Sequence, residues 1–305
     1  MSGVISQIGI LFLTAALGFI GGKTRVMDEN ANGVLSKIVL NLTLPCTVLY
    51  AAFSGEKLLT NSQVGQLMLL SCAVSGLLIL GAKGLMALFG VPGDHRGVCE
   101  FLVLFSNVGF IGYPMLRTIF GPSAVFYAAV ISMIHTVLSY SYGVYLIRGK
   151  EGGRSFTLKD LLSPMAVSSV VACCMYVMNV QLPEFCLNFL KFVDQGTSPL
   201  SMMIIGCSMA FAGKHRMKDA WRTYGVLGTR MILVPLLCWW GLRLVTGNDL
   251  IAGIFAVIFA LPSAASTTMF CARYGKDQTL SSSAVLLSTI ASVVTVPLLC
   301  ALLFR

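Results

Sequence analysis

Charge is what this sequence has least of. Of its 305 residues only 11% are Asp, Glu, Lys or Arg, far below the roughly 25% carried by soluble domains. So few ionic groups cannot clothe a water-facing surface. Carboxylates are the scarcer sign, with Asp and Glu totalling 12 against 21 Lys and Arg. The chain also lacks a G-x-x-x-x-G-K-[ST] phosphate loop, an H-E-x-x-H pair and any two carboxylates buried in the middle of one apolar stretch. ATP-driven pumping by this chain alone and intramembrane metalloproteolysis therefore have no residues to rest on. With no reactive constellation of any other kind, an enzyme is not expected, nor is a cofactor or a bound metal. Ten cysteines are present, yet none form a C-x-x-C pair, and most (Cys46, Cys72, Cys173, Cys174, Cys207, Cys271 and Cys300 among them) lie inside apolar runs. They read as small packing residues, not as a metal or disulfide set.

Apolar residues fill the space that charge leaves, at 56% of the chain. A bilayer core about 30 Å thick takes roughly 20 apolar residues per helical crossing. Such stretches tile the sequence at 4–22, 33–53, 64–89, 99–119, 122–147, 161–180, 184–212, 222–245, 250–272 and 279–303, all read as helix. Breaks rich in turn formers or charge separate them, as at Gly55-Glu56-Lys57, Val91-Pro92-Gly93-Asp94, Gly247-Asn248-Asp249 and Tyr274-Gly275-Lys276-Asp277. The first stretch has no basic residue before it and is followed by Lys23 and Arg25, so it is read as a retained helix instead of a cleaved leader. The expected fold class is an all-α membrane protein of ten transmembrane helices.

The net charge of +9 acquires meaning from its placement. Sixteen basic residues fall on one side of the alternating spans: Lys23, Arg25, Lys37, Lys83, Arg96, Arg148, Lys150, Arg154, Lys159, Lys214, Arg216, Lys218, Arg222, Arg230, Arg273 and Lys276. Five fall on the other: Lys57, Arg117, Lys191, Arg243 and Arg305. By the positive-inside rule the rich side is cytoplasmic, and both termini face outward. The basic excess is thus an orientation signal, and nucleic acid is not an expected partner.

Displacing the sequence by 154 residues sets Thr43 and Pro45 on Thr197 and Pro199, Ser54 on Ser208, Phe101, Val103 and Phe105 on Phe255, Val257 and Phe259, and Gly121 on Gly275. Span falls on span and loop on loop, which is read as a weak internal repeat. Its halves are residues 1–147 and 161–305, joined by a cytoplasmic linker at 148–160 that holds Gly149, Gly152 and Gly153. Five spans per copy is an odd number, so the second copy must be inverted relative to the first, a pattern found in secondary transporters.

Two spans carry helix breakers at matching depth. The fourth holds Ser106-Asn107-Val108-Gly109-Phe110-Ile111-Gly112-Tyr113-Pro114; the ninth holds Leu261-Pro262-Ser263-Ala264-Ala265-Ser266-Thr267-Thr268. Proline removes a backbone hydrogen bond and glycine weakens a helix, so both spans are expected to break. Freed backbone groups survive at membrane depth only against protein or a water-filled cavity. Each second half-helix then starts near the bilayer middle, with Pro114 in its first turn and Ser263 as N-cap, and offers amides and positive dipole to a carboxylate. Asn107 is the first candidate for direct substrate contact because its amide both donates and accepts; the plainer alternative is a hydrogen bond between helices. Gly109, Gly112, Tyr113, Pro114, Pro262, Ser263, Ser266, Thr267 and Thr268 complete the candidate site, although hydroxyls in such helices often bond only to their own backbone. Pro45 with Asn41, matched by Pro199 with Gln195, marks a second pair of kinked spans, either lining the pathway or merely packing. His135, deep in the fifth span, is a candidate proton relay, with a structural histidine as the alternative. Lys83, Lys191, Asp194 and Arg230 read as snorkelling groups near span ends; Glu100 and Arg117 read as guards of an entrance.

With Asn107-x-Gly109-Phe110-x-Gly112-x-Pro114, Leu44-Pro45, and Pro262 followed by the Tyr274-Gly275-x-Asp277 turn, the chain resembles the auxin efflux carrier family over nearly its whole length, at the size of the short bacterial members. The resemblance implies two inverted five-helix repeats whose fourth and ninth helices cross at their breaks, a fold shared with bile-acid sodium symporters. It also implies an elevator-like motion of helices three to five and eight to ten against one, two, six and seven. Substrates in the family are organic acids, auxin in plants and malonate and related carboxylates in bacteria. The long central loop of many plant members is absent here, and the ninth span has no asparagine matching Asn107. The expected function is secondary transport of a small organic anion across a bacterial inner membrane, driven by a substrate, proton or sodium gradient among which the sequence does not choose, with lipids as surroundings and a homodimer left open. A sodium-coupled bile-acid-type symporter, an ion channel, and an enzyme or sensor on a carrier scaffold are the competing readings.

Overall fold

The computed structural model describes residues 2–53, 60–149, 164–211 and 221–303, and every regular element among them is a helix. In chain order these are α1 (Ser2–Lys23), α2 (Glu29–Phe53), α3 (Asn61–Leu88), α4 (Gly93–Leu104), α5 (Val108–Phe120), α6 (Ser123–Arg148), α7 (Pro164–Val177), α8 (Glu184–Phe211), α9 (Trp221–Thr246), α10 (Asp249–Ala260), α11 (Ser266–Arg273) and α12 (Gln278–Leu303). Five of them are long and apolar enough to cross a bilayer by length and composition: α2, α3, α6, α9 and α12 from Thr279 onward. The windows at 99–119 and 250–272 are each filled by two helices with an extended stretch between. The Gly55-Glu56-Lys57 break, most of the 148–160 linker and the basic cluster at Lys214, Arg216 and Lys218 lie outside the described residues.

The distribution of polarity is the reverse of a soluble protein's. Leu13, Leu69, Leu77, Leu80, Phe185, Phe192, Leu237 and Leu244 are all more than half exposed, whereas Thr47, Asn107, His135, Asp194, Arg230 and Ser263 are buried. Water would penalise that arrangement residue by residue; a lipid solvent removes the penalty and demands that polar groups be satisfied inside. The chain is an integral membrane protein.

Contacts divide the chain into two compact units, each drawn from both halves of the sequence. The first comprises Met1–Met68, Val108–Met133 and Leu161–Phe211. Here α1 lies along α8 at backbone contact distance. Gly18 and Gly22 on one helix and Gly206 and Ala210 on the other follow the small-xxx-small spacing that lets membrane helices approach closely. A Cβ added at Gly206 would stand 1.7 Å from the Ala15 carbonyl oxygen, and one at Gly18 would stand 2.1 Å from that of Met203. Thr47 on α2 donates to Thr197 on α8 at 2.9 Å, and Tyr176 of α7 stacks on Phe126 with centroids 4.6 Å apart.

The first unit also shows how proline is housed without breaking a helix. Val39–Thr43 and Val108–Gly112 each form one π turn, and in each case a proline follows two residues after its end, Pro45 and Pro114. Widening the turn by one residue relieves the collision between the proline ring and the carbonyl one turn back. The break in the fourth span therefore lies at Phe105–Asn107, at the start of the Ser106-to-Pro114 string in which it is expected and not at its glycines and proline. Pro199 sits inside an uninterrupted α8, so the expected second pair of interrupted helices is present only as the π turn of α2.

The second unit comprises Leu69–Asn107, Ile134–Asp160 and Ala212–Arg305. Its core is buried α10, from Ile251 to Ala260, packed with α9 and α12 around α4. Leu261 ends α10 in an extended conformation (φ −62°, ψ 155°), as the residue before a proline must. Phe101 sits against Phe105 and Phe270 with centroids 4.5 and 5.6 Å away.

Several backbone features recur at the 154-residue offset. α1 ends at Lys23 and α7 at Val177. Arg25 and Asn179 are the described non-glycine residues with positive φ, 60° and 54°. Gly121 and Gly275, which follow α5 and α11, have φ of 87° and 65°.

Candidate functional site

In the second unit the two interruptions meet. Phe105 leaves α4 in an extended conformation (φ −113°, ψ 125°), and Ser106 pairs with Ser263 in a single antiparallel bridge. The Asn107 amide donates to the Pro262 carbonyl at 2.9 Å, and the Ala264 amide donates to the Phe105 carbonyl at 2.9 Å. Proline fits this position because the bridge asks residue 262 only for its carbonyl. Such pairing satisfies backbone groups that lipid could not, and it explains why α4 stops where its own sequence carries neither glycine nor proline.

Ser263 is fully buried and does not cap α11, which opens at Ser266 behind Ala265. Its hydroxyl instead donates to the Leu102 carbonyl at 2.8 Å, and its amide donates to Ser288 Oγ at 3.2 Å. The N-cap reading is thereby corrected: the serine holds the end of α4 instead of the start of its own helix. Thr267 is buried and donates to the Ala264 carbonyl at 2.7 Å, a bond within its own turn. Ser266 and Thr268 are half-buried in the first turn of α11.

Arg230 is the residue that sequence reasoning placed wrongly. Far from snorkelling, it is 0% exposed. Its Nε donates to the Val103 carbonyl at 3.1 Å, Nη1 to the Leu261 carbonyl, and Nη2 to Ser106 Oγ. One guanidinium thus joins α9 to the ends of α4 and α10. Depth could have revealed it, since the ninth residue beyond Trp221 lies about 13 Å along the helix, farther than an arginine reaches. Removing it from the basic count leaves the charge asymmetry standing.

Asn107 is 9% exposed, and its carboxamide has no hydrogen-bond partner among the described residues. It stands at the bridge with donor and acceptor both unused. His135 is buried with Nδ1 unpartnered; its ring lies 5.7 Å from that of Phe259. It shares a small cavity with Ser75, Leu104 and Phe105, with room for about one water, and Ser75 Oγ is likewise unpartnered. No second titratable side chain lines that cavity.

The remaining candidates lie in the first unit. Gly112, Tyr113 and Pro114 are buried and Gly109 is half-buried, with Leu44 Cδ1 3.4 Å from where a Gly109 Cβ would stand. Asn41 is exposed and donates to the Lys37 carbonyl at 2.8 Å, so its amide serves its own helix, and Pro45 is half-buried. Asp194, also read as snorkelling, is buried and ion-paired with Arg117 at 2.5 Å. In the second unit, Glu100 is buried 3.6 Å from Arg96. A roomy groove of about 560 Å³ between α3 and α9 is lined by leucines such as Leu77 and Leu237; it suits an acyl chain and offers nothing to a carboxylate.

The two interruptions thus meet in a buried polar junction held by Arg230. Residues 3–300 match the family described as membrane transport protein, the auxin efflux carrier family, and the chain belongs to it. It is similar to an uncharacterized transporter of Methanocaldococcus jannaschii, 22% identical over 301 residues and 95% of each chain. The uncharacterized transporter YfdV of Escherichia coli is 22% identical over 294 residues and 92% of each chain. A third relative, an uncharacterized transporter of Methanothermobacter thermautotrophicus, is 24% identical over 294 residues, again 92% of each chain.

Proposed function

We propose that the chain is a secondary carrier of a small organic anion, a mono- or dicarboxylate, working by elevator-like alternating access. The observation that carries this reading is the antiparallel bridge between the two interruptions with the unpartnered Asn107 carboxamide beside it. A carboxylate arriving there meets an amide donor and, at α11, the amides of a helix start, which carry about half a positive charge. Ser266, Thr267 and Thr268 surround that helix start.

The repeat reading is of two five-helix copies, 1–147 and 161–305, the second inverted, with α4–α5 and α10–α11 as equivalent broken spans. It draws support from the 154-residue recurrence of helix ends and of left-handed residues. Both termini then face the non-cytoplasmic side of a bacterial inner membrane.

The test is uptake of labelled malonate, and of a panel of other mono- and dicarboxylates, into proteoliposomes. Wild-type protein gives saturable uptake, accelerated by either a proton or a sodium gradient, and Asn107→Ala abolishes it while the protein stays folded. Undiminished uptake by Asn107→Ala removes Asn107 from the site; current far above carrier turnover replaces the carrier with a channel.

A further inference from the structure

Each interruption places a carbonyl end and an amide end within a few residues: α4 closes at Leu104 and α5 opens at Val108, while α10 closes at Ala260 and α11 opens at Ser266. By itself such a break prefers neither sign. The carbonyl end carries about half a negative charge and the amide end about half a positive one, and a ligand beside both feels little net field. Something must cancel the carbonyl ends before the amides can attract an anion.

Arg230 is placed to do so. Its Nε reaches the Val103 carbonyl in the last turn of α4, its Nη1 the Leu261 carbonyl at the end of α10, and its Nη2 Ser106 Oγ, one residue from Asn107. It is completely buried, and no carboxylate pairs with it among the described residues. A buried cation without a counter-ion is expensive in a membrane and persists here against two helix C-termini, whose partial charges together come to about one negative charge.

We infer that Arg230 is the positioning residue that turns the paired interruptions into an anion site: it ties the two carbonyl ends together and neutralises them, leaving the amide end of α11 to act unopposed beside Asn107. This deepens the organic-anion reading, on which it rests for the chemistry of the cargo, while the local potential it describes is a property of the fold. Lysine would keep the charge but not the planar fork that spans separate acceptors; glutamine would lose both.

The potential can be read without knowing the substrate. Asn107→Cys in the solubilised full-length protein is treated with an anionic sulfonatoethyl and a cationic trimethylammonioethyl methanethiosulfonate, and modification at residue 107 is followed by mass spectrometry. With Arg230 present the anionic reagent is favoured about tenfold or more over its ratio at a free thiol, the effect of roughly one unit charge at this range in a partly polar interior. Arg230→Gln returns the ratio to the free-thiol value and Arg230→Lys keeps most of the preference. An unchanged ratio in Arg230→Gln, or preference for the cationic reagent with Arg230 present, overturns the assignment. Should Arg230→Gln not fold, Arg230→Lys decides, a free-thiol ratio there being the overturning result. No modification by either reagent overturns both the assignment and the placing of Asn107 toward cargo.

A second measurement separates the two claims. Malonate stabilises wild-type protein against heat, the neutral malonamide does not, and Arg230→Gln loses the distinction. If the reagent ratio holds but no carboxylate stabilises the wild type, the cargo reading fails and the role of Arg230 stands.

Discussion

Arg117 on α5 and Asp194 on α8 form an ion pair 2.5 Å across inside one unit, with the Asp194 side chain 3% exposed and the Arg117 side chain 24% exposed. Asp194 Oδ1 and Arg117 Nη2 remain without partners. Removing one member of a buried pair strands the other, at about 3–5 kcal/mol when both are fully buried; the partial exposure of Arg117 lowers the expected loss to about 2 kcal/mol. Asp194→Asn should lower the melting temperature in detergent, and Arg117→Met with Asp194→Leu should recover most of the loss. A double variant as unstable as the sum of the singles would show that the pair is not coupled.

Glycine is indispensable where α1 meets α8 and dispensable at Gly76 on the open face of α3. Gly206→Leu, with a Cβ destined to overlap the Ala15 carbonyl, should abolish recovery of monodisperse protein. Gly76 has nothing within 4 Å of its would-be Cβ, and Gly76→Ala should raise stability by up to about 1 kcal/mol through helix propensity. Equal yields for both variants would contradict the close approach.

Stability and binding should separate at the bridge. Ser263→Ala removes the donor to the Leu102 carbonyl, leaving a buried acceptor unpaired at a cost of about 1–3 kcal/mol. Asn107→Ala breaks no side-chain hydrogen bond and should leave the melting temperature within about a degree while carboxylate-induced stabilisation disappears. A large fall in melting temperature for Asn107→Ala would make it a structural asparagine instead.

A proton relay requires a next station, and the cavity beside His135 supplies only Ser75, which is not titratable. His135→Gln is therefore expected to leave the pH dependence of uptake unaltered. A flattened or displaced pH profile in that variant would restore His135 to the coupling pathway.

Helix positions were legible in the sequence because lipid imposes length: each apolar window coincides with a helix, or a pair of half-helices, to within a few residues. The break at Pro262 was legible too, since proline dictates the backbone before it. The break in the fourth span falls at the start of the Ser106-to-Pro114 string: the glycines and Pro114 advertise flexibility that a π turn absorbs, whereas the interruption itself is held by backbone bonds to Pro262 and Ala264. Ser263 and Arg230 were misjudged for the same reason. Their bonds run to residues more than a hundred positions away, and local chemistry could only suggest a cap and a snorkelling arm.

That separation has a consequence for biogenesis. When α4 leaves the ribosome, the carbonyls of Leu102 and Val103 have no partners, and those partners, Ser263 and Arg230, are synthesised 161 and 127 residues later. The early half of the chain must wait in the insertion machinery or beside lipid with its fourth segment unfinished. Truncation before residue 263 should accordingly yield a product cleared by membrane proteases, because the fourth segment is completed only by the arrival of the ninth.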